Sequence, residues 1–226
     1  MITLLSSAPG GGESSYAVWH VIKTAIDEGR QVFTVGILEL KLPTIEVDYD
    51  FIRDWSDRTI NTETGEEELQ NIPIGALIVV DEAWRVWKAS GAGRGVTDDV
   101  EYLAMHRHHG LDFLIIAQMP SLIHKDVLAM VSKHIHILPH WSGRKLLEWP
   151  EYVSNPRAES NRSAAVTTRY KLPVESFGLY KSATEHTKIK RKLPPQLLFV
   201  LLIFLSLPVL IYFAYSSIVD YLICPH

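Results

Sequence analysis

Cysteine is almost missing from this chain of 226 residues; Cys224 stands alone. That excludes an intrachain disulfide and points to a cytosolic setting for the main domain. A positively charged leader before an apolar core is missing as well. Met1-Ile2-Thr3 runs straight into apolar residues, so the start reads as a first strand and not as a signal peptide. Net charge is small, at −4, so the chain as a whole is not a polyanion binder. Metal-ligand spacing is missing too. Ten histidines are present, but no cysteine or carboxylate completes a set around His134 and His136 or around His106, His108 and His109. The last of these groups falls at a helix end, where imidazolium would favour the dipole. Finally, charge is absent from Leu197 to Val219, where much of the 47% hydrophobic content is concentrated.

What is present begins at the N-terminus. Ile2-Thr3-Leu4-Leu5 is followed by Ser6-Ser7-Ala8-Pro9-Gly10-Gly11-Gly12-Glu13-Ser14-Ser15 and then by a helical pattern opening at Tyr16-Ala17-Val18-Trp19. Strand, glycine-rich turn and helix is the context of a phosphate-binding loop. The glycines let several backbone N–H groups converge on one anion, and the helix start adds partial positive charge. Pro9, Gly10, Gly11, Gly12, Glu13, Ser14 and Ser15 are therefore the candidate nucleotide-binding residues, with Ser14 also a candidate Mg²⁺ ligand. The loop departs from the usual pattern twice. Ser7 holds the place of the first glycine, and Glu13 holds the place of the lysine that sits on the β- and γ-phosphates.

A second stretch gives the loop its meaning. Ala76-Leu77-Ile78-Val79-Val80-Asp81-Glu82 reads as a central parallel strand ending in two carboxylates. At such a strand end Asp81 can hold Mg²⁺ and Glu82 can polarise the attacking water. Leu111 to Gln118 is another buried strand, and Gln118 is placed to sense the γ-phosphate. Arg107, with Arg94 as the lesser alternative, is the candidate arginine finger for a site between subunits. ATP and Mg²⁺ are the implied cofactors.

The rest of the chain fills in an α/β fold. Ser14 to Arg30 forms a helix with Val18, Val21, Ile22 and Ile26 on one face and Gly29 as its stop. Gln31 to Ile37 is a second strand. Asp48 to Arg58 suits a helix presenting Phe51, Ile52 and Trp55, and Asn61 to Glu68 suits a polar surface loop. Trp84 and Trp87, three apart, are expected to pack. A helix starting at Val96 or Thr97 carries Asp98, Asp99 and Glu101 in its first turn. Leu122 to Lys133 suits a helix, and His134 to Leu138 a strand with one exposed face. Lys145 to Trp149 and Val166 to Lys171 suit an antiparallel elaboration at the sheet edge. The uncharged block, about 23 residues, is long enough for a bilayer of about 30 Å, with Pro208 inside it, Tyr212 and Tyr215 near its far end, and Lys188, Lys190, Arg191 and Lys192 before it.

The fold expected is a P-loop NTPase with a mainly parallel central sheet, helices on both faces and one C-terminal transmembrane helix. The divisions expected are 1–180 for a cytoplasmic ATPase domain, 181–195 for a basic linker, 196–219 for the span and 220–226 for a short periplasmic tail.

Pro9 to Ser14, Leu77 to Ala83, Arg107-His108-His109-Gly110-Leu111-Asp112 leading to Gln118, Leu179-Tyr180-Lys181-Ser182-Ala183 and the single span, in that order, carry a resemblance. The chain resembles the filamentous-phage gene I assembly protein, also called the zonula occludens toxin (Zot) family. The resemblance implies a ring-forming ATPase of the bacterial host's inner membrane that drives virion assembly and extrusion. It also implies work with coat proteins, packaged single-stranded DNA and an outer-membrane exit channel. Glu13 sets like charge against phosphate in a partly dry site, so weak nucleotide binding and little hydrolysis are expected. Glu13 is expected to be an engineered or selected replacement of lysine that leaves the assembly intact but idle, with a natural variant that recruits another cation, such as Arg94 or Arg107 of a neighbour, as the rival; the alternatives for the whole chain are a non-catalytic membrane platform for coat and channel subunits and a DNA-translocating motor for another cargo.

Overall fold

A computed structural model describes residues 1–62, 65, 67–89, 96–140 and 143–181, with the backbone of 195–223 and the side chains of 200–216. The chain divides into two compact units, Met1–Thr187 and Lys188–His226.

The first unit is built on an eight-stranded sheet. Its strands are β1 (Ile2–Ser7), β2 (Val32–Val35), β3 (Ile45–Glu46), β6 (Leu77–Val80), β7 (Asp112–Ile116), β8 (Lys133–His140), β9 (Gly143–Trp149) and β10 (Val166–Tyr170). A separate hairpin pairs β4 (Arg58–Ile60) with β5 (Glu67–Leu69). The sheet order is β10-β9-β8-β1-β7-β6-β2-β3. Pairing is parallel from β8 through β3, and β9 and β10 extend it antiparallel.

The central strands read as unbroken apolar runs because both sheet faces are covered. Ile2, Leu4, Phe33, Val35, Ile78, Val80, Phe113 and Ile115 face one core, which Ile52, Trp55, Trp87, Leu103 and Val127 complete. Leu5, Val32, Leu77, Val79, Leu114 and Ile116 face the other, against Ala17, Val18, Ile22 and Ala25 of the helix that follows the glycine loop. That helix is assembled from Glu13–Tyr16, a π-helical stretch Ala17–Ile22 and Lys23–Asp27. Gly29 stops it at a φ of 76°, and the Arg30 N–H donates back to Ala25 O at 2.9 Å.

Several expectations change. The polar loop expected at Asn61 to Glu68 includes a strand, since Glu67–Leu69 pairs back on Arg58–Ile60. The expected helix from Leu122 to Lys133 shrinks to Lys125–Ala129. Pro120 starts a 3-10 turn, Ile123 bridges Lys88 in extended form, and the His124 side chain caps the helix by accepting from the Asp126 N–H. Trp87 is buried against Phe113 whereas Trp84 is exposed beside Arg85, so the two tryptophans serve different places. His106 is buried, which lowers its pKa, so it does not act as an imidazolium at a helix end. His134 and His136 do not lie on an exposed face. They are 0% and 5% exposed and share the Ser6 hydroxyl at 2.8 and 2.9 Å. The Val153 N–H donates to His134 Nδ1, so His134 carries its proton on Nε2 and donates to Ser6, which in turn donates to His136 Nδ1. Burial holds both imidazoles down at about 4, so the pair is neutral.

The described residues of the second unit form a helix, Pro195–Ile223, with Pro208 inside it. Over the described residues no helix is long and apolar enough to cross a membrane. The expected span, 196–219, extends past the described side chains at both ends, and the basic residues 188–192 lie outside the described residues.

Candidate functional site

The sheet order places the carboxyl ends of β1, β7, β6 and β2 side by side, where α/β folds bind ligands. β7 lies between the glycine-loop strand and the Asp-Glu strand, in register with both (Leu4↔Ile115 and Val80↔Ile115). Gln118, just past β7, therefore falls between the loop and the carboxylates. A cleft of about 680 Å³ opens there, and Gly10, Gly12, Glu13, Ser14, Asp81, Glu82 and Gln118 all line it.

The loop keeps its shape without lysine. Gly10 and Gly12 take φ values of 73° and 102°, which side chains rarely adopt. The Gly11 N–H donates to Ala8 O at 2.8 Å, and a Cβ on Gly11 would meet Ser7 Oγ at 1.9 Å. The Tyr16 N–H to Gly12 O bond, at 3.0 Å, begins the helix. Glu13 is 6% exposed. Its Oε2 accepts the Gly12 N–H at 3.2 Å, and among the described residues its Oε1 has no hydrogen-bond partner. The carboxylate thus occupies one of the loop's N–H groups.

Across the cleft, the Asp81 carboxylate accepts the Glu82 N–H at 2.8 Å. Burial raises the Asp81 pKa to about 6; the Glu82 N–H opposes the rise, and the charges of Glu13 and Glu82 add to it. A hydroxyl at Ser14 and a carboxylate at Asp81 are hard oxygen donors of the kind Mg²⁺ takes, and a cation would offset the burial and the neighbouring charges that raise Asp81. Those two residues fit the expected ion. Glu82 sits at φ 50°, ψ 46°, a left-handed conformation costing about 1 kcal/mol or more. Its side chain pairs with Arg85 at 2.6 Å.

Some predicted residues lie elsewhere. Pro9 and Gly11 shape the loop but do not line the cleft, and Ser15 is buried with its hydroxyl 2.6 Å from Ser176 Oγ. Arg107 lies with Met1, Leu111 and Asp112 near the amino ends of β1 and β7, away from this chain's own cleft. Arg94 is outside the described residues.

The chain matches the Zonular occludens toxin (Zot) family over residues 1–187. The chain belongs to the Zot family. It is 34% identical over 215 residues to the putative assembly protein ORF301 of Pseudomonas phage Pf3, covering 89% of this chain and 65% of that relative. Among solved structures, the N-terminal domain of zonular occludens toxin from Neisseria meningitidis superposes with a TM-score of 0.64 at 27% identity, over 80% of this chain and 98% of that one. The genome packaging NTPase B204 of Sulfolobus turreted icosahedral virus 2, in complex with ATP-gammaS, gives a TM-score of 0.47 at 15% identity over 62% of this chain and 74% of that one.

Around this Zot-family loop the structure adds residues that motif reading did not reach. Gly36, after β2, approaches Asp81 so closely that a Cβ there would lie 2.8 Å from Tyr49 Oη and 3.0 Å from Asp81 Cβ. The Tyr49 hydroxyl donates to Asp81 O at 3.2 Å. Arg85 is the basic residue among the described residues lining the cleft, set over the Tyr49 and Trp84 rings. From outside, Arg144 on β9 donates to Gly11 O at 2.7 Å, and Leu172 fills the space beside Gly12. The segment 172–181 straps the loop: the Lys41 N–H donates to Leu179 O at 2.8 Å, the Lys181 N–H donates to Leu38 O at 2.9 Å, and Tyr180 reaches the cleft. The signal for Gly36 was a glycine at a strand end; the strap gave none beyond family likeness.

Proposed function

We propose that this chain is an ATPase that drives filamentous phage assembly and extrusion, and that Glu13 impairs its hydrolysis. The observation that carries the reading is the single cleft uniting a Zot-family glycine loop with Asp81, Glu82 and Gln118. Likeness to a putative phage assembly protein supports the setting. The chain spans 65% of that relative's length, so the whole activity is inferred for this chain. In this reading Asp81 and Ser14 hold Mg²⁺, Glu82 orients water, Gln118 senses the γ-phosphate, and the loop from Pro9 to Ser15 meets ATP through the residues that line the cleft, Gly10, Gly12 and Ser14.

The proposed setting is the host's inner membrane. The support is in the sequence: the uncharged run Leu197 to Val219, about 23 residues, would reach about 34 Å as a helix at about 1.5 Å per residue, against a bilayer core of about 30 Å. The uncharged run within 196–219 supports a single span, the basic residues 188–192 in the 181–195 linker favour a cytoplasmic 1–180 domain, and 220–226 would be periplasmic. Arg107, remote from its own cleft, fits a finger delivered to a neighbour in a homo-oligomeric ring. Coat proteins, packaged single-stranded DNA and an exit channel complete the proposed set of partners.

A second reading, a platform that binds no ATP, is favoured by one feature: the Glu13 carboxylate already takes the Gly12 N–H. ATP binding and hydrolysis by the full chain in mild detergent, with and without Glu13→Lys, separate the two. Motor function predicts Mg²⁺-dependent turnover in the lysine form. Folded protein that neither binds nor hydrolyses ATP in either form overturns the motor reading.

A further inference from the structure

Glu13 presents an unusual problem of charge. It is buried at the edge of the cleft, and among the described residues its Oε1 has no hydrogen-bond partner. A buried carboxylate oxygen without a partner costs about 1–3 kcal/mol or more. Among the described residues that line the cleft, none is a basic side chain left over to neutralise it. Of the other charged residues lining the cleft, Asp48, Asp81 and Glu82 are acidic, and Arg85 is engaged by Glu82 at 2.6 Å. A nucleotide triphosphate entering here brings still more negative charge.

We propose that Glu13 and the nucleotide's phosphates together bind a divalent cation where the lysine ammonium of the usual loop would lie. This is a second cation, additional to the one expected at Ser14 and Asp81, and the inference rests on the P-loop reading above. The charge balances: a carboxylate with one divalent ion carries the single positive charge of a lysine. The ligand chemistry is that of Mg²⁺ or Mn²⁺, which take one or two carboxylates, phosphate oxygens and several waters. Among the described residues no group of three or more histidine, cysteine, aspartate or glutamate side chains is placed to hold a metal unaided. The second site is therefore complete only when nucleotide is present. Nucleotide affinity in this chain then depends on divalent concentration more steeply than in a loop with lysine.

The test uses the full chain in mild detergent, with Mn²⁺ as the spectroscopic probe and ATPγS as the nucleotide. Thermal melting of each variant establishes that it is folded. The expected result is two Mn²⁺ per bound ATPγS in the parent and one in Glu13→Gln and in Glu13→Lys. The log–log dependence of ATPγS affinity on free Mn²⁺ should be steeper in the parent by about one. One Mn²⁺ per nucleotide in the parent, or equal steepness in parent and Glu13→Lys, overturns the inference. Nucleotide binding by Glu13→Lys alone, at every Mn²⁺ concentration, also overturns it while leaving the P-loop reading intact. Absence of binding in all folded forms removes both.

Discussion

Asp81 sets stability against function, and its pH dependence exposes the conflict. Its folded-state pKa is raised to about 6 from the ordinary 3.8, with burial as the main cause and Glu13 and Glu82 adding to it. At about 1.4 kcal/mol per pH unit this corresponds to about 3 kcal/mol. The folded chain holds the Asp81 proton more tightly than the unfolded chain does. Below about pH 4 both states are protonated and nothing is lost. Between pH 4 and 6 stability falls as pH rises, and above pH 6 the full cost remains. Asp81→Asn keeps an oxygen for the Glu82 N–H and removes the charge. It should match the parent near pH 4 and exceed it by about 3 kcal/mol at pH 7.5, roughly 6–12 °C in melting temperature. His134 and His136 work in the opposite direction. Held down at about 4, they contribute stability above pH 6.5 that is lost as pH falls through 4. The parent's own curve therefore mixes both effects, and the difference between variant and parent at each pH isolates Asp81. Urea unfolding from pH 4.5 to 7.5 provides that difference. A difference that does not change with pH, or a destabilised Asp81→Asn at pH 7.5, would refute the reasoning.

Three further expectations concern other parts of the fold. Ser6→Ala removes the hydroxyl between two buried imidazoles and should cost about 2 kcal/mol or more in urea unfolding. Gly11→Ala drives a Cβ into Ser7 and to 2.9 Å from Ala8 O; it should cost about 1–3 kcal/mol and weaken ATP binding, and adding Ser7→Gly should recover part of both. Arg30 ties Gly75 O, Ala76 O and Asp112 together at the amino ends of the strands; Arg30→Ala should lose about 2 kcal/mol of stability while ATPγS affinity, measured by titration, stays unchanged.

The central sheet was legible because two-sided burial writes itself into sequence as an uninterrupted apolar run. Val79-Val80 and Leu114-Ile115 could hardly be anything else once a glycine loop preceded them. The antiparallel edge was legible in outline from the two short strand-like runs, Lys145 to Trp149 and Val166 to Lys171. Contacts that join distant parts of the chain were not. Ser6 meets His134 and His136 across 128 and 130 residues, and nothing local marks those histidines as buried. Asp99 looked like one of several helix-start carboxylates, yet its side chain accepts the Trp87 indole N–H at 2.8 Å and its backbone oxygen accepts that of Trp55 at 3.1 Å. The roles of Asp98 and Asp99 part only when the two indoles are brought to the second of them.

The same distinction explains how the loop tolerates Glu13. Motif reading treats lysine as the centre of a phosphate-binding loop, but the loop's shape is fixed elsewhere. Left-handed glycines at 10 and 12, the Gly11 N–H on Ala8 O, Arg144 on Gly11 O and Leu172 beside Gly12 hold the backbone, and none of them involves the side chain at 13. Exchange of lysine for glutamate there changes the charge facing the cleft by two units and leaves those constraints in place. Fold and charge are separable at this position. Glu13→Lys is therefore expected to change nucleotide binding far more than it changes folding, and it can act as a clean switch between the two readings of the site.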